Sequence, residues 1–320
     1  MTDWRTAATH ALAAAVADDD SRLGCLLTEA GEHLGWLLAS RPPETVAALA
    51  VPVAVHRCLT GGALPSHGLL ASAAATYLAL DVLDDRMDGD APAFWGDRGD
   101  PEIMVGVQLL LVTATQVVGA DTVPQRAVRL TQLYRETIAV VADGQLRTGE
   151  PLTASTTPAE VESRVGARSG AMLAGFAELA AIAADGSPSD VASARAFGYE
   201  LAVARQHLND VTELVSERTT DLRNRTATMA TALALQGLPI EQRESLVERL
   251  RRAATDPSDR RRLVAEDLAR AIGEVCALIH LHLARARTHA RLLSDHELGH
   301  DGLDRLIEFT AAPLRRRDAR

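Results

Sequence analysis

The sequence predicts an all-α protein, and three observations support that prediction. Ala and Leu are abundant, β-branched residues rarely alternate with polar ones, and Pro or Gly residues interrupt the apolar runs at intervals that suit helices. With 320 residues, 47% of them hydrophobic, the chain can bury a large core without disulfides. We expect a single domain over residues 1–320 with about ten to twelve helices.

Pro, Gly and capping residues divide the chain into the predicted helices. In the first third these cover residues 3–17, 21–40, 43–60 and 66–88, the last of which starts at Ser66 and ends in an acidic cluster. A loop rich in Gly and Pro follows at residues 89–101. Further helices are expected at residues 102–119, 123–147, 158–185, 188–218, 226–236, from 239 onwards, 256–293 and 297–312, before a basic tail at residues 315–317.

Composition narrows the class of partner. A net charge of -10 and a pI near 5.5 argue against nucleic acid or an anionic membrane as the main partner. All 33 basic residues are Arg, so phosphate contacts must come from Arg, hydroxyl or backbone groups.

Cys25, Cys58 and Cys276 lack metal or redox spacing and are interpreted as reduced core residues. Without a secretory pattern or an apolar run that would span a membrane, a cytoplasmic location is expected.

The first candidate site is the acidic end of the helix that starts at Ser66. Asp84 and Asp88 are four residues apart and share a helical face, and Asp81 lies one turn below them. Carboxylates stacked in this way repel each other unless the face is solvated or a cation lies between them. Mg²⁺ suits such a face because it prefers oxygen ligands. On this stretch alone, a solvated helix end explains the pattern equally well.

A second acidic cluster favours the metal interpretation. Asn209, Glu213 and Glu217 recur every four residues and therefore lie on one helical face, with Gln206 a turn earlier. Two acidic helical faces of this kind can hold metal ions between them.

The two clusters resemble the aspartate-rich motifs of the trans-isoprenyl diphosphate synthase, or polyprenyl synthetase, family. Asp84-Asp85-Arg-Met-Asp88 matches the first motif, and Gln206-x-x-Asn209-Asp210-x-x-Glu213 resembles the second, with Asn and Glu replacing two Asp. Further segments follow in the family's order. They are Gly144-Gln145, Arg168-Ser-Gly in place of Lys-Thr-Gly, and Asp221-Leu-Arg-Asn-Arg-Thr-Ala-Thr228 in place of Asp-Leu-x-x-Gly-Lys-x-Thr. The resemblance covers residues 45–235.

This resemblance implies the class I isoprenoid synthase fold, a helical bundle around a central cavity, in a homodimeric enzyme that uses about three Mg²⁺ ions. The metal ligands it implies are Asp84, Asp85, Asp88, Asn209, Glu213 and Glu217, with Asp85 in an orienting role. The diphosphate contacts it implies are Arg168, Gln206 and Arg225. Of these residues, Asp84, Asp88, Asn209, Glu213 and Arg168 are the candidate catalytic groups.

Two basic segments with which chain-elongating members bind isopentenyl diphosphate are missing. Residues 51–58, followed by Gly61-Gly62, stand where Gly-Gly-Lys-Arg-Leu-Arg-Pro belongs, and residues 89–98 replace an Arg-Arg-Gly after the first motif. A second diphosphate would meet too little positive charge to offset its desolvation. We therefore expect a terpene synthase or cyclase that ionises one C15 to C25 prenyl diphosphate and releases pyrophosphate.

Three alternatives stay open at this point. The first is a prenyltransferase whose acceptor carries no diphosphate, such as an indole or another aromatic. The second is ordinary chain elongation, and the third is a non-catalytic partner subunit. In the family, the floor of the prenyl pocket corresponds to Leu80 and Ala79, and the small Ala79 predicts that chains of C20 or longer are favoured.

Overall fold

A computed structural model describes residues 4–16, 22–90, 94–120, 122–148, 150–216, 220–293 and 297–318. Within these residues the regular structure is helical. Their extended pairing is limited to an isolated antiparallel bridge between Pro151 and Thr226. The all-α prediction is therefore confirmed.

The first six helices lie close to the predicted ones. They are α1 (Trp4–Val16), α2 (Arg22–Ser40), α3 (Ala47–Thr60), α4 (His67–Met87), α5 (Asp100–Val117) and α6 (Pro124–Thr148), with a 3-10 turn at Pro43–Thr45. Their ends follow local chemistry. Gly61 ends α3 in a left-handed conformation, and the hydroxyl of Ser66 accepts a hydrogen bond from the N–H of Leu69 at the start of α4.

The second half of the chain contains nine further helices among the described residues. They are α7 (Pro158–Val165), α8 (Ala171–Ala183), α9 (Pro188–Val215), α10 (Thr220–Asn224), α11 (Met229–Gln236), α12 (Ile240–Ala253), α13 (Pro257–Leu263), α14 (Ala269–Leu292) and α15 (Glu297–Asp318). Two π-helical turns, Gly166–Gly170 and Val264–Leu268, connect α7 to α8 and α13 to α14.

The structure differs from the sequence predictions in the divisions of two helices, the end of the chain, one turn and the cysteines. The predicted helices over residues 158–185 and 256–293 are each divided by a π turn, which adds a residue to a turn without needing a breaker in the sequence. Residues 315–317 belong to α15 and are not a tail. The short helix α10 occupies part of a predicted polar turn. All three cysteines are free, but Cys58 alone among them is buried, since Cys25 is exposed and Cys276 is half-buried.

The described residues form two compact units, each made of segments that are distant in sequence. Unit 1 contains the described residues of Met1–Ile138, Leu173–Gly198 and His289–Leu306. Unit 2 contains those of Ala139–Met172, Tyr199–Thr288 and Ile307–Arg320. The single domain over residues 1–320 stays a prediction.

In unit 1, α4 packs against α1, α3 and α5. Small side chains allow close approach, because a Cβ added to Gly68 would lie 2.2 Å from the carbonyl oxygen of Val117. The hydroxyls of Thr76 and Tyr134 are 2.7 Å apart in this core, and burial raises the pKa of Tyr134 to about 12. Helix α4 is therefore firmly held below its acidic end.

In unit 2, α7 has a strongly defined start. The hydroxyl of Thr157 accepts from the N–H of Glu160, whose carboxylate accepts from the N–H of Thr157 in return. This capping box, with Pro158 in the first turn, fixes the direction of α7. Helix α7 packs against α11 and leads into the π turn Gly166–Gly170.

One helical stretch, residues 158–183, is long and apolar enough to cross a membrane by length and composition. However, 61% of its most apolar window is buried inside the structure. Burial of this extent is typical of a core helix, and a single such stretch is weak evidence for a membrane span.

Candidate active site

The first acidic motif lies at the C-terminal end of α4 in unit 1. Asp84 and Asp85 lie in its last turn, and Asp88 follows as the C-cap, with its N–H donating to the carbonyl oxygen of Asp84 at 2.9 Å. All three residues are half-buried. Because the helical geometry continues through Asp88, Asp84 and Asp88 share a face, as the spacing predicts.

Asp81 shows that this end of α4 carries excess negative charge. Burial raises the pKa of Asp81 to about 6, and the charges of Asp85 and Asp84 add to the shift. The positive charge of Arg41 and a hydrogen bond with the Tyr77 hydroxyl oppose it. A cation bound among these carboxylates would relieve the repulsion. Since the donors are all oxygen atoms, the set fits Mg²⁺.

Two arginines near this motif, Arg86 within it and Arg98 after it, form ion pairs within unit 1. Arg98, the Arg that remains where the resembled family has an Arg pair, forms an ion pair with Glu29. Arg86 lies 3.3 Å from Asp100 through its Nη2 atom. The charge of Arg98 is therefore partly neutralised before any diphosphate arrives.

His56 lies in the segment that replaces the other basic segment of the resembled family. It is buried, and its Nδ1 atom is 3.1 Å from the carbonyl oxygen of Ala63. Burial lowers the pKa of His56, although the backbone hydrogen bond opposes the shift, so the neutral ring is favoured at pH 7. This position supplies less positive charge than Lys or Arg would.

The second motif lies on α9 in unit 2, where its side chains form a connected network. The Nε2 atom of Gln206 donates to Oδ1 of Asp210 at 2.8 Å. The hydroxyl of Ser169 donates to Oε1 of Gln206 at 2.9 Å. Because Ser169 belongs to the π turn Gly166–Gly170, the network joins the Arg168-Ser-Gly segment to α9.

Asp210 is the buried acid of this motif, and its neighbour Asn209 is exposed. Asp210 is 7% exposed. Burial raises the pKa of Asp210, and the hydrogen bond from Gln206 and the charges of His207 and Arg168 act against that shift. A four-residue spacing predicts residues 209, 213 and 217 as the ligand face and does not include Asp210. The adjacent Asn209-Asp210 pair is the sequence signal that points to Asp210.

Glu213 makes a structural hydrogen bond in addition to its predicted role as a ligand. Its Oε1 atom accepts from the N–H of Asp221 at 2.6 Å, which satisfies a backbone donor in the first turn of α10. This bond orients the carboxylate and fixes α10 against the end of α9. The predicted ligand Glu217 lies outside the described residues.

Arg225 has a left-handed backbone conformation, with φ of 58°. The resembled family has Gly at this position, and Gly adopts positive φ without steric cost, so the backbone favours the alignment. Thr226 then occupies the position of the family's Lys, and it pairs with Pro151. The side chain of Arg225 is exposed, and its contact with the diphosphate stays a prediction.

Gly144 lets α6 touch the backbone of the π turn. A Cβ added to Gly144 would lie 2.6 Å from the carbonyl carbon of Ala167 and 2.7 Å from the backbone nitrogen of Arg168. Such distances are too short for any larger residue without movement of the π turn. Gly144 of the Gly-Gln pair therefore supports the position of Arg168.

The two predicted pocket-floor residues differ in exposure. Ala79 is 0% exposed, whereas Leu80 is half-buried. A side chain that lines a channel open to water keeps some accessible surface, so Leu80 fits this role and Ala79 does not. The structure therefore does not support the expectation that Ala79 opens space for a long prenyl tail, because that side of α4 is closely packed.

No protein-family model matches the sequence, and the search of curated proteins gave no match. Solved structures match nearly the whole chain. A geranylgeranyl pyrophosphate synthetase from Pyrococcus horikoshii is 17% identical, with a TM-score of 0.81, over 95% of this chain and 94% of that one. A decaprenyl diphosphate synthase from Rhodobacter capsulatus is 17% identical, with a TM-score of 0.81, over 97% and 96% of the two chains.

A third solved structure includes ligands. It is a polyprenyl synthase from Caulobacter crescentus complexed with calcium and isoprenyl diphosphate, 18% identical, with a TM-score of 0.77, over 97% of this chain and 94% of that one. Likeness at this level of identity shows the fold. The chain has the all-helical fold of these prenyl synthases, and the fold implied by its motifs is confirmed.

Proposed function

We propose that this chain is a member of the trans-isoprenyl diphosphate synthase family and an enzyme that ionises an allylic prenyl diphosphate and releases pyrophosphate. The observation that carries the proposal is the combination of this fold with two acidic motifs, each on a helix and each containing a buried or half-buried carboxyl group. Acidic helix ends are common by themselves. The order and spacing of the two motifs within this fold distinguish this chain from proteins that have a single acidic helix end.

The proposed cofactor is Mg²⁺, and its proposed ligands are Asp84 and Asp88 on α4 in unit 1 and Asn209 and Glu213 on α9 in unit 2. When bound, it would neutralise the charge that develops on the leaving diphosphate. The calcium in the Caulobacter structure supports a hard divalent cation for that protein. The number of ions, which the resemblance puts at about three, stays a prediction.

Residues of unit 2 have distinct roles in the proposal. The guanidinium of Arg168 contacts the diphosphate and stabilises its negative charge. Gln206 is a positioning residue, because its side-chain amide forms hydrogen bonds with both Asp210 and Ser169. This arrangement holds the π turn and Asp210 in fixed positions beside the substrate.

The prenyl cation that forms has two supported fates. Chain elongation is supported by the solved proteins with this fold, which are named as geranylgeranyl, decaprenyl and polyprenyl synthases. Cyclisation or elimination, as in a terpene synthase, is supported by this chain's own residues, since Arg98 is paired with Glu29 and the neutral form of His56 is favoured. Elongation has at least as much support as cyclisation, and both begin with the proposed ionisation.

The test is incubation of purified protein with Mg²⁺ and C10, C15, C20 or C25 prenyl diphosphates, with and without isopentenyl diphosphate. Pyrophosphate release with hydrocarbon or alcohol products in the absence of isopentenyl diphosphate would assign a terpene synthase. Longer diphosphates formed only in its presence would assign chain elongation. A protein that releases no pyrophosphate under either condition would contradict the proposed reaction.

The resemblance also implies a homodimer, and the sequence analysis predicts a cytoplasmic location. Both stay predictions. Size-exclusion chromatography with light scattering measures the oligomeric state, and fractionation of the source cells measures the location.

A further inference from the structure

Unit 2 contains a second cluster of ionisable side chains, which uses none of the predicted diphosphate or Mg²⁺ ligands. It consists of Glu162 on α7, Glu200 and His207 on α9, and His282 on α14. His207 is 0% exposed and His282 is 5% exposed, while Glu162 is half-buried and gives the cluster access to solvent. Three helices that are distant in sequence therefore meet at these side chains.

The carboxylate of Glu162 lies between the two imidazole rings. Its Oε2 atom is 3.0 Å from Nε2 of His207, and its Oε1 atom is 3.4 Å from Nε2 of His282. The ligand atoms of the three residues all lie within 4.8 Å of one another. In a tetrahedral zinc site with bonds of about 2.0–2.1 Å, two ligand atoms are about 3.3 Å apart. Each of these two contacts, which involve different oxygens of Glu162, is close to that separation.

His282 already has the orientation of a metal-binding histidine. Its Nδ1 atom is 2.6 Å from Oε2 of Glu200. A carboxylate can only accept, so Nδ1 carries the proton and Nε2 points towards Glu162. Metal-bound histidines generally donate their second N–H to a carboxylate in this way. Glu200 is therefore placed to fix the tautomer and the ring of His282.

Hydrogen bonds pair the charges of this cluster. The hydrogen bonds from His207 and His282 lower the pKa of Glu162 to about 2. Burial alone would lower the pKa of His282, but hydrogen bonds to Glu162 and Glu200 outweigh it and raise that pKa to about 9. A metal ion bound at Nε2 of His282 would therefore take the place of the proton on that nitrogen.

We propose that Glu162, His207 and His282 bind one divalent transition-metal ion of the zinc type. Two imidazole nitrogens and one carboxylate oxygen suit Zn²⁺, whereas Mg²⁺ prefers oxygen ligands throughout. The ion joins α7, α9 and α14. Because Glu162 lies one turn before the π turn and His207 follows Gln206, the ion stabilises the backbone that carries Arg168 and Gln206. This site does not depend on the proposed function.

The test is uptake of Zn²⁺ or Co²⁺ by the full-length protein after treatment with a chelator, in excess Mg²⁺. Titration calorimetry measures stoichiometry and affinity, and the visible absorption of Co²⁺ distinguishes tetrahedral from octahedral coordination. We expect one equivalent with a tetrahedral spectrum. His207→Gln and His282→Gln should weaken uptake at least about 100-fold, and Glu200→Gln, which removes the outer carboxylate, should weaken it about tenfold to 100-fold.

Two control variants distinguish uptake at this cluster from uptake at a surface histidine or at the first acidic motif. His280→Gln changes an exposed histidine on α14, whose Nδ1 atom is 2.8 Å from the carbonyl oxygen of Cys276, and it should retain full uptake. Asp84→Asn changes the proposed Mg²⁺ site, and it should also retain uptake. Circular dichroism checks that each variant is folded.

Four results would overturn the proposal. Two concern the wild-type protein, namely a lack of uptake in excess Mg²⁺ and an octahedral Co²⁺ spectrum. The other two are uptake that survives in a folded His282→Gln protein and uptake that is lost in Asp84→Asn. If both histidine variants fail to fold, the stoichiometry and the Co²⁺ spectrum of the wild-type protein still show whether one ion binds with tetrahedral coordination. None of these measurements requires turnover of a prenyl diphosphate.

Discussion

The side-chain amide of Gln206 donates a 2.8 Å hydrogen bond to the buried carboxyl group of Asp210. The same amide accepts a hydrogen bond from Ser169 in the π turn. Since Asp210 is shielded from water, its charged form depends on donors such as this one. The second acidic motif is therefore a positioned network and not a row of independent ligands.

Gln206→Ala is expected to reduce kcat at least about tenfold, which corresponds to about 1.4 kcal/mol. Loss of the amide raises the pKa of Asp210 further and releases Ser169 from α9. Steady-state pyrophosphate release measures the effect. Gln132→Ala is the matched control, because Gln132 donates to Glu136 at 3.0 Å across one exposed helical turn. Equal turnover in the two variants would contradict the role of Gln206.

Asp84→Asn and Asp88→Asn are each expected to reduce turnover at least about 100-fold, since metal contacts with a leaving group contribute several kcal/mol. Both variants should also need a higher Mg²⁺ concentration for half-maximal rate. A Mg²⁺ titration of pyrophosphate release measures both effects. Asp97→Asn, at an exposed acid of the same unit, should behave as the wild type. A folded Asp84→Asn protein with normal turnover would remove Asp84 from the ligand set.

Arg168→Ala is expected to weaken pyrophosphate binding at least about tenfold, because it removes a cationic donor from the proposed diphosphate site. Arg168→Lys should recover part of the affinity through its charge, but it cannot reproduce the two parallel hydrogen bonds that a guanidinium donates to a phosphate. Calorimetry with pyrophosphate and Mg²⁺ measures both variants. Arg147→Ala is the control, since Arg147 is exposed and pairs with Asp143 one turn away. Wild-type affinity in Arg168→Ala would rule out the contact.

Gly144→Ala is expected to lower the free energy of unfolding by about 1–3 kcal/mol, because the added Cβ meets the backbone of the π turn. Turnover should fall as well, since Arg168 moves with that backbone. Gly273→Ala is the matched control, because a Cβ at this helical position meets nothing within 4 Å. It should raise stability by about 0.5–1 kcal/mol. Urea denaturation measures both, and equal stability changes would contradict the close contact.

Leu80 is expected to control chain length more than Ala79 does. Leu80→Ala should shift the ratio of kcat/KM for C25 over C15 substrates upward, since each extra buried methylene contributes about 0.8 kcal/mol where space exists. Leu80→Phe should shift it downward. Ala79→Phe should mainly destabilise the protein, by about 1–3 kcal/mol, because its site is closely packed. Substrate competition assays measure the ratio, and unchanged ratios in both Leu80 variants would exclude this position from the prenyl pocket.

Sequence alone was sufficient for the features that depend on neighbours along the chain. Helix propensity and breakers predicted the all-α class, and Ser66 marked the start of the acidic helix. The shared face of Asp84 and Asp88 follows from helical periodicity, which is local. The order of the motifs predicted the fold that the solved structures share.

Tertiary structure decided which of these side chains are buried and what they contact. The burial of Asp210, the pairing of Arg98 with Glu29 and the packing around Ala79 each depend on helices that are distant in sequence. The π turn Val264–Leu268 contains no Gly or Pro that a pattern could detect, and the two glycines of Gly166–Gly170 do not by themselves specify a π turn. His207 and His282 meet Glu162 only because α7, α9 and α14 pack together. Periodicity shows which residues share a face, but it does not show which element covers that face, and burial and charge pairing depend on the covering element.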